Sequence, residues 1–389
     1  MESLINLMLA TKELIRIYKS SSLNPKNLEY SKMANLNVAI TGLQAADSPA
    51  PGVPVARSIL HEGKWDGKII GLGYDSFDTG IYDEGIWDEA YLIPYPSEGE
   101  FNVLARIREI HKITRIDVLI PTLDAELNCF MKIREELEEL GIKVLLPSNK
   151  SLKMRSKPYL ANFCEKYDIP FPKTKVVFDY AGLNQAISEF GYPIVVKGVF
   201  YDAHLAYSEY EAQGYFNKIS AEWGFPIVVQ EFIKGEEYDV CCLNDYDKNI
   251  IGKVPMRKLK ITPKGKAWAG ITIADKELAE LADKILERME WNGPCEIELL
   301  KADKNGKYYM IEVNPRFPAW IYLSAGAGTN LPHTAVRIIS GEKVEPMPTC
   351  KPGVIFMRHA TDIIAPLEHL EALTTFGSLD FNKNEKNKE

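Results

Sequence analysis

The chain is poor in the features that mark several large classes of protein. Its six cysteines (Cys129, Cys164, Cys241, Cys242, Cys295 and Cys350) contain no CxxC pair, and most sit inside apolar segments. They read as small core residues in a reducing compartment, not as a disulfide frame. The six histidines are scattered without metal-ligand spacing, which argues against zinc. No apolar run approaches the roughly 18 to 20 residues that cross a bilayer. Basic charge is not in excess: 46 Lys and Arg stand against 54 Asp and Glu, a net charge of −8. Nucleic acid and anionic membranes ask for basic surface, so neither is an expected partner. An export signal is not recognisable, because Glu2 stands where a basic segment belongs and the apolar run ends in Thr11, Lys12 and Glu13. The expected location is the cytoplasm. The two common phosphate-binding signatures are missing as well. There is no GxxxxGK[ST], and Gly71-Leu72-Gly73 lacks a third glycine.

What is present fits a soluble chain with several cores. The 389 residues are 46% apolar and 26% charged, and at roughly 150 residues per domain the length suggests two to three domains. Residues 1–34 read as an amphipathic helix (Leu4, Leu7, Met8, Leu14 and Ile15 on one face) and a polar connector. From 35 to 148, the short runs Leu36–Ile40, Lys68–Leu72, Ala90–Ile93, Asp117–Ile120 and Lys143–Leu146 read as strands. Helical stretches at Val55–Glu62, Phe101–His111 and Leu127–Leu140 separate them. That alternation predicts a parallel sheet covered by helices, with ligands beyond the carboxyl ends of the strands. From 149 to 345 the pattern changes. Strands at Val176–Phe178, Ile194–Lys197 and Ile227–Glu231 alternate with two helices, and a β-rich stretch runs from Tyr238 to Ile273. Cys295–Leu300 and Tyr308–Val313 then flank Asp303-Lys304-Asn305-Gly306, a strong hairpin signal. Residues 346–380 form a C-terminal segment with a helix at 366–377, and residues 381–389 read as a disordered charged tail.

The closing hairpin carries the clearest chemistry. Glu312 and Asn314 are two apart and point to one face of a strand. Pairing through Asn305-Gly306 brings Glu298 near Glu312. Two carboxylates and an amide oxygen make an all-oxygen set, which suits Mg²⁺ better than zinc. Such a set can bridge the phosphates of a nucleotide. Arg316 adds a fixed positive charge beside it. The alternative is a solvated strand face with glutamates paired to lysines, but acidic residues inside Ile-Glu-Leu-Leu and Met-Ile-Glu-Val suit it poorly. Lys197 ends the apolar run Pro193-Ile194-Val195-Val196 and needs an anion nearby. Gln230-Glu231-Phe232-Ile233 leads from a strand into a turn, where backbone can meet the edge of a base.

In this order the pieces resemble the ATP-grasp superfamily. The matching elements are Lys157, Ile169-Pro170-Phe171-Pro172-Lys173-Thr174, Lys197, Gln230 to Glu237, Glu298, and Glu312-Val313-Asn314-Pro315-Arg316. The resemblance covers about residues 150 to 345 and implies a two-lobed ATP-grasp fold, its lid lobe at about 176–234, after an N-terminal α/β domain. The expected class is therefore α/β and α+β. The resemblance implies that Lys157 and Lys197 contact phosphates of ATP. It also implies that Gln230, Glu231 and Ile233 line adenine and that Glu237 holds ribose. Glu298, Glu312 and Asn314 would bind two Mg²⁺ (or Mn²⁺), and Arg257 and Arg316 would face the γ-phosphate or the acyl phosphate. One departure stands out: the loop after Lys197, usually glycine-rich, is Gly198-Val199-Phe200-Tyr201-Asp202-Ala203.

The sequence looks like one half of a carbamoyl-phosphate synthase large subunit, or a carboxylate–amine ligase of similar size. The expected activity is ATP-dependent activation of a small carboxylate as an acyl phosphate and its joining to an amine. The alternatives are a bicarbonate-phosphorylating (carboxylating) ATPase and a non-catalytic nucleotide-binding regulatory protein. Thr41, Asp47 and Arg57, in the loop after the first strand, are the expected contacts of the organic substrate. For Arg57 the alternative is a solvated helix residue. A homodimer is the assembly the resemblance allows.

Overall fold

The computed structural model describes residues 35–45, 49–63, 65–83, 85–199, 202–262 and 265–382. The expected N-terminal helix and connector, Asp47 and the tail from residue 383 lie outside the described residues. The chain forms two compact units that interleave in sequence. One comprises Met1–Leu145, Ile251–Ala274 and Phe317–Glu389, the other Leu146–Ile250 and Asp275–Arg316.

The first unit opens with four strands, β1 (Val38–Ile40), β2 (Ile69–Gly73), β3 (Glu89–Leu92) and β4 (Val118–Ile120). β2 and β4 flank β1, β3 flanks β2, and every one of these pairings is parallel. β1, β2 and β4 are buried along their whole length, as unbroken apolar runs in a parallel sheet require. The expected strand at Lys143–Leu146 is not one. Only Lys143 bridges to Val118, through its own amide to Asp117 and its carbonyl to Leu119, and no ladder follows. The expected helix Leu127–Leu140 is two helices, Asp124–Lys132 and Arg134–Glu139, separated where Ile133 turns to φ −97°, ψ 12°.

The second unit begins with a helix at Asn149–Arg155, capped by the Ser148 hydroxyl, and another at Lys157–Lys166. β5 (Thr174–Val177), β6 (Ile194–Gly198), β7 (Ala203–Ala206) and β8 (Ile227–Glu231) form an antiparallel sheet in the order β5-β8-β6-β7. Helices Tyr180–Phe190 and Glu209–Trp223 share its core, where Leu183, Ala186, Phe216 and Ile219 pack on Ile194, Val196, Ile227 and Val229. Strand alternation then puts Val195, Lys197, Val228 and Gln230 on the opposite face. β9 (Gly235–Asn244) follows.

The chain then enters the first unit as β10 (Ile250–Ile261) and β11 (Ala267–Thr272), an antiparallel pair. It returns through a helix at Lys276–Met289 to β12 (Gly293–Ala302) and β13 (Tyr308–Asn314). β12 pairs antiparallel with β9 on one side and β13 on the other. The β12–β13 turn runs through Gly306 at φ +68°, a conformation glycine adopts without a Cβ penalty. Helix Leu331–Ser340, β14 (Ile355–Met357), helix Leu367–Phe376 and β15 (Ser378–Asp380) complete the first unit. β15 adds antiparallel to the edge strand β3. Arg106 fastens this return, donating to the Leu92 and Gly377 carbonyls at 2.9 and 2.8 Å. The Phe381 amide reaches the Asp88 carbonyl at 3.2 Å, so order extends past residue 380, where the sequence predicts the tail to begin. No helix among the described residues is long and apolar enough to cross a membrane. All six cysteines are buried thiols.

Candidate active site

The site in the second unit is set by the register of three strands. Glu298 lies directly opposite Glu312, and Glu296 opposite Asn314, across the β12–β13 ladder. A register shift follows Glu298, where the ladder resumes at Leu299 and Met310. Such irregularities re-aim side chains next to functional sites. On the other flank β9 sets Asp239 opposite Glu298 and Cys241 opposite Glu296. Asp239, Glu296 and Asn314 are all buried.

Asn314 organises the carboxylates. Its amide nitrogen donates to Glu296 Oε2 at 3.0 Å and to Glu298 Oε1 at 2.8 Å. The reverse orientation would set the amide oxygen against two carboxylates, so the oxygen faces away from them. Arg316 Nη1 stands 3.5 Å from Glu296 Oε2 and offsets its charge. Glu296 and Asp239 were not among the residues nominated from sequence. The signal for Glu296 was present: it is two residues before Glu298, as Glu312 is two before Asn314.

The cations come from the other sheet and a helix start. The Lys197 ammonium donates to Gln230 Oε1 at 2.7 Å, and the Gln230 amide donates to Thr174 Oγ1 at 2.9 Å. Burial, and then the charge of Lys157, push the Lys197 pKa down to about 8, while Glu312 and Glu298 pull it up. Lys157, Glu298 and Glu312 thus all act on Lys197. Lys157 Nζ donates to the Gly198 carbonyl at 3.3 Å.

The structure divides the expected adenine segment. Gln230 and Glu231 are ladder residues of β8, paired with Val195 and Ile194 of β6. The Gln230 side chain serves Lys197, and the Glu231 carboxylate accepts from the Lys173 amide at 2.9 Å. Phe232 to Lys234 lie beyond the strand. With Asp303 and Lys304 they line a cavity of about 320 Å³, and the Asp303 amide donates to the Lys234 carbonyl at 3.0 Å. Ile233 is therefore the expected adenine residue that meets a cavity. Glu237 lies on β9 opposite Leu300.

The remaining nominated residues belong to the first unit. Arg257 lies on β10 opposite Ile271. Thr41 is fully buried, and its hydroxyl donates to Glu126, its carbonyl accepts from Thr122 Oγ1 at 2.9 Å, and its Oγ1 accepts from the Thr122 amide at 3.0 Å. That corrects its expected role, because no part of its side chain is presented to a ligand. Arg57 is exposed, as its alternative had it, and its guanidinium holds Asp83 at 2.7 Å, so a substrate carboxylate would have to displace that partner.

Among the described residues no group of three or more His, Cys, Asp or Glu is arranged to hold a metal ion. Glu298, Glu312 and Asn314 offer a different set: two carboxylates and an amide oxygen turned from them. Hard oxygen donors of this kind fit Mg²⁺ or Mn²⁺ when phosphate oxygens and water complete the shell.

A family model described as ATP-grasp in the biosynthetic pathway with Ter operon matches residues 225–361. The carbamoyl phosphate synthase large chain of Agathobacter rectalis is 24% identical over 307 residues, covering 75% of this chain and 27% of that protein. The chain thus spans about a quarter of the length of that curated relative. Among solved structures, the biotin carboxylase domain dimer of Hydrogenobacter thermophilus 2-oxoglutarate carboxylase, in complex with MgADP, ADP and bicarbonate, superposes with a TM-score of 0.63. It is 17% identical, covering 79% of this chain and 70% of that one. An L-amino acid ligase from Bacillus licheniformis superposes with a TM-score of 0.58 at 17% identity, covering 80% and 76%. The family match spans β8 to β14, and the strand pair holding Glu298, Glu312 and Asn314 lies inside it. Over residues 225–361 the chain is thus similar to ATP-grasp proteins.

Proposed function

We propose that the protein is an ATP-dependent ligase that activates a small carboxylate as an acyl phosphate and joins it to an amine. The observation that carries this is the register pairing of Glu298 with Glu312, bridged to Asn314, with both glutamates acting on the charge of Lys197. Likeness to an L-amino acid ligase and to a carboxylase domain solved with MgADP supports it. In this proposal Lys157 and Lys197 hold phosphate oxygens of ATP, Ile233 meets adenine at the cavity, and Glu237 receives the ribose. Glu298, Glu312 and Asn314 hold Mg²⁺ or Mn²⁺, two ions in all. The metal supplies charge neutralisation across the phosphates.

The chemistry asks for no nucleophile from the protein. An oxygen of the substrate carboxylate attacks the γ-phosphorus, and ADP leaves as the P–O bond to it breaks. The amine nitrogen then attacks the acyl carbon, phosphate leaves with the electron pair of the C–O bond, and the nitrogen gives up a proton. Lys197 and Arg316 lower the cost of negative charge on the transferring group, and the buried strands keep water away. For Arg257 the resemblance implies a role toward the γ-phosphate or the acyl phosphate. Arg57 and Asp47 belong to the acceptor side. A homodimer is part of the same proposal, in line with the dimer solved for one structural neighbour.

The test is ADP release screened against pools of carboxylates, with and without amines, and with bicarbonate alone. Release that needs both an organic acid and an amine supports the ligase. Release with bicarbonate alone would turn the assignment to a carboxylating ATPase. Nucleotide binding with no release under any pool would make it a regulatory protein.

A further inference from the structure

We infer that Glu296 is a positioning residue for the metal and phosphate site, acting through Asn314 and Arg316. The inference rests on the nucleotide site proposed above and adds a residue that the sequence did not nominate. Glu296 is 5% exposed on β12, opposite Asn314 in the ladder. Its Oε2 does two jobs. It accepts one amide hydrogen of Asn314 at 3.0 Å, and it faces Arg316 Nη1 at 3.5 Å.

The consequence for Asn314 is geometric. An amide has two donor hydrogens on one side and an acceptor oxygen on the other. Glu298 alone can satisfy one hydrogen, at 2.8 Å. With Glu296 on the second, both hydrogens are committed to β12, and the oxygen is held in the opposite direction. Without Glu296 one hydrogen loses its acceptor, and the barrier to flipping the amide falls. A flipped amide would present donors where a cation requires an oxygen.

The consequence for Arg316 is electrostatic. A buried carboxylate needs an opposite charge, and Arg316, two residues past Asn314, supplies it. The pairing limits where the guanidinium can lie. One carboxylate therefore sets the orientation of both an oxygen donor and a cation on the segment Asn314-Pro315-Arg316. Groups that orient metal ligands in this way typically change metal affinity about 10- to 100-fold when removed.

The test is Mn²⁺ binding in the presence of ADP, followed by the paramagnetic resonance signal of free Mn²⁺, on the full-length protein. Glu296→Met keeps the length of the side chain and removes both the charge facing Arg316 and the oxygen that accepts from Asn314. It is expected to weaken Mn²⁺ binding about 10-fold or more, while ADP binding without metal changes less than about 3-fold. Introducing Glu296→Met into a background that carries both Asn314→Ala and Arg316→Ala should have almost no further effect on Mn²⁺, because the two groups it acts through are already gone. Equal Mn²⁺ binding by wild type and Glu296→Met would overturn the inference, as would a full, additive loss in the doubly substituted background. If Glu296→Met does not fold, Glu296→Asp takes its place. It keeps the charge but withdraws the oxygen from Asn314, and the same two outcomes decide. Glu312→Gln separates this inference from its foundation. If that variant also binds Mn²⁺·ADP like wild type, the metal site is misplaced. If it loses binding while Glu296→Met keeps it, only the positioning role fails.

Discussion

Each unit sets glutamates beside a sheet, a buried one in the first turn of a helix in the first unit and half-buried ones in a strand ladder in the second, and the two are treated in opposite ways. In the first unit, Glu126 Oε1 accepts from the Thr41 hydroxyl and from the amides of Thr122 and Leu123, at 2.6 and 2.8 Å for the amides. Its Oε2 accepts from the Tyr74 hydroxyl. Every donor comes from the same chain, and the group is closed. In the second unit, Glu298 and Glu312 stand opposite each other in an antiparallel ladder, with Asp239 on the next strand. Like charges directly opposite destabilise a sheet, so this arrangement gains from added positive charge. A carboxylate surrounded by its own chain's donors holds the fold together, whereas carboxylates set opposite each other gain from a cation, which is the role proposed for Glu298 and Glu312. Both lie where a sequence-based argument looks for ligands, and only their neighbours in the fold tell them apart.

The largest expected effect exploits that contrast. Glu312→Gln should cut ADP release about a hundredfold or more, while the urea midpoint stays level or rises, since a like-charge pair is relieved. Release at the wild-type rate would remove Glu312 from the metal site. Glu126→Ala should do the reverse. It leaves the amides of Thr122 and Leu123 and two hydroxyls without their acceptor, at a cost of about 3 kcal/mol in chemical denaturation. ATP affinity of the folded protein should stay within about 3-fold. A Glu126→Ala variant that folds as well as wild type but no longer binds nucleotide would collapse the distinction between the two sites.

Base selectivity is a smaller expectation. The cavity at Phe232, Ile233 and Lys234 adjoins backbone that has left the β8 ladder. A backbone edge reads donor and acceptor positions on a base, and adenine and guanine differ there. ATP should support turnover about tenfold better than GTP. Equal use of the two, measured under one metal concentration, would move the base away from this cavity.

Local patterns carried much of the fold and part of the site. Ile227–Glu231 is a strand over its expected residues, and the Asn305-Gly306 turn sets the register that brings Glu298 to Glu312. These are legible because strand alternation and hairpin turns are properties of neighbouring residues. The same rule would have found Glu296, had it been applied to the first strand of the hairpin as well as the second. What stayed hidden depends on distant partners. Thr41 looked like a loop residue because Glu126, which takes its hydroxyl, lies 85 positions away. Arg57 looked open because nothing near it in sequence marks Asp83 as its partner. β15 was unreadable for a similar reason: three residues form a strand only because the edge of β3, far earlier in the chain, is there to receive them. Lys143–Leu146 failed the other way, since an apolar run with one bridge has the composition of a strand without the ladder.

The finest way to separate the two kinds of glutamate is by pH. Burial raises the pKa of Glu126 above its ordinary 4.5, although its four hydrogen bonds from Thr41, Tyr74, Leu123 and Thr122 work in the other direction. Tyr74 is shifted the same way, by burial first and then by the charge of Glu126, so its hydroxyl remains a donor throughout. In the unfolded chain Glu126 gives up its proton near the ordinary value, whereas in the folded chain it keeps it to higher pH. Between those two points the folded state binds more protons than the unfolded one, so stability falls as pH rises, by no more than about 1.4 kcal/mol per pH unit for one group. Below the ordinary value the contribution is fully present, and above the folded value it is lost. Glu126→Gln is the proper comparison. Its amide oxygen can accept from the Thr122 and Leu123 amides and the Thr41 hydroxyl, and its nitrogen can donate to a reoriented Tyr74 hydroxyl, without any proton to lose. Unfolding free energies of the two proteins, measured by denaturant from pH 4 to pH 8, should therefore diverge. The wild type should lose stability relative to Glu126→Gln as pH rises through the window that starts near 4.5. Parallel curves would mean that the four donors outweigh burial and that Glu126 is an ordinary ionised glutamate in the folded chain. The closed character of its site would then come from charge-assisted hydrogen bonds, and the contrast with Glu298 and Glu312 would be one of neutralisation by donors against neutralisation by metal.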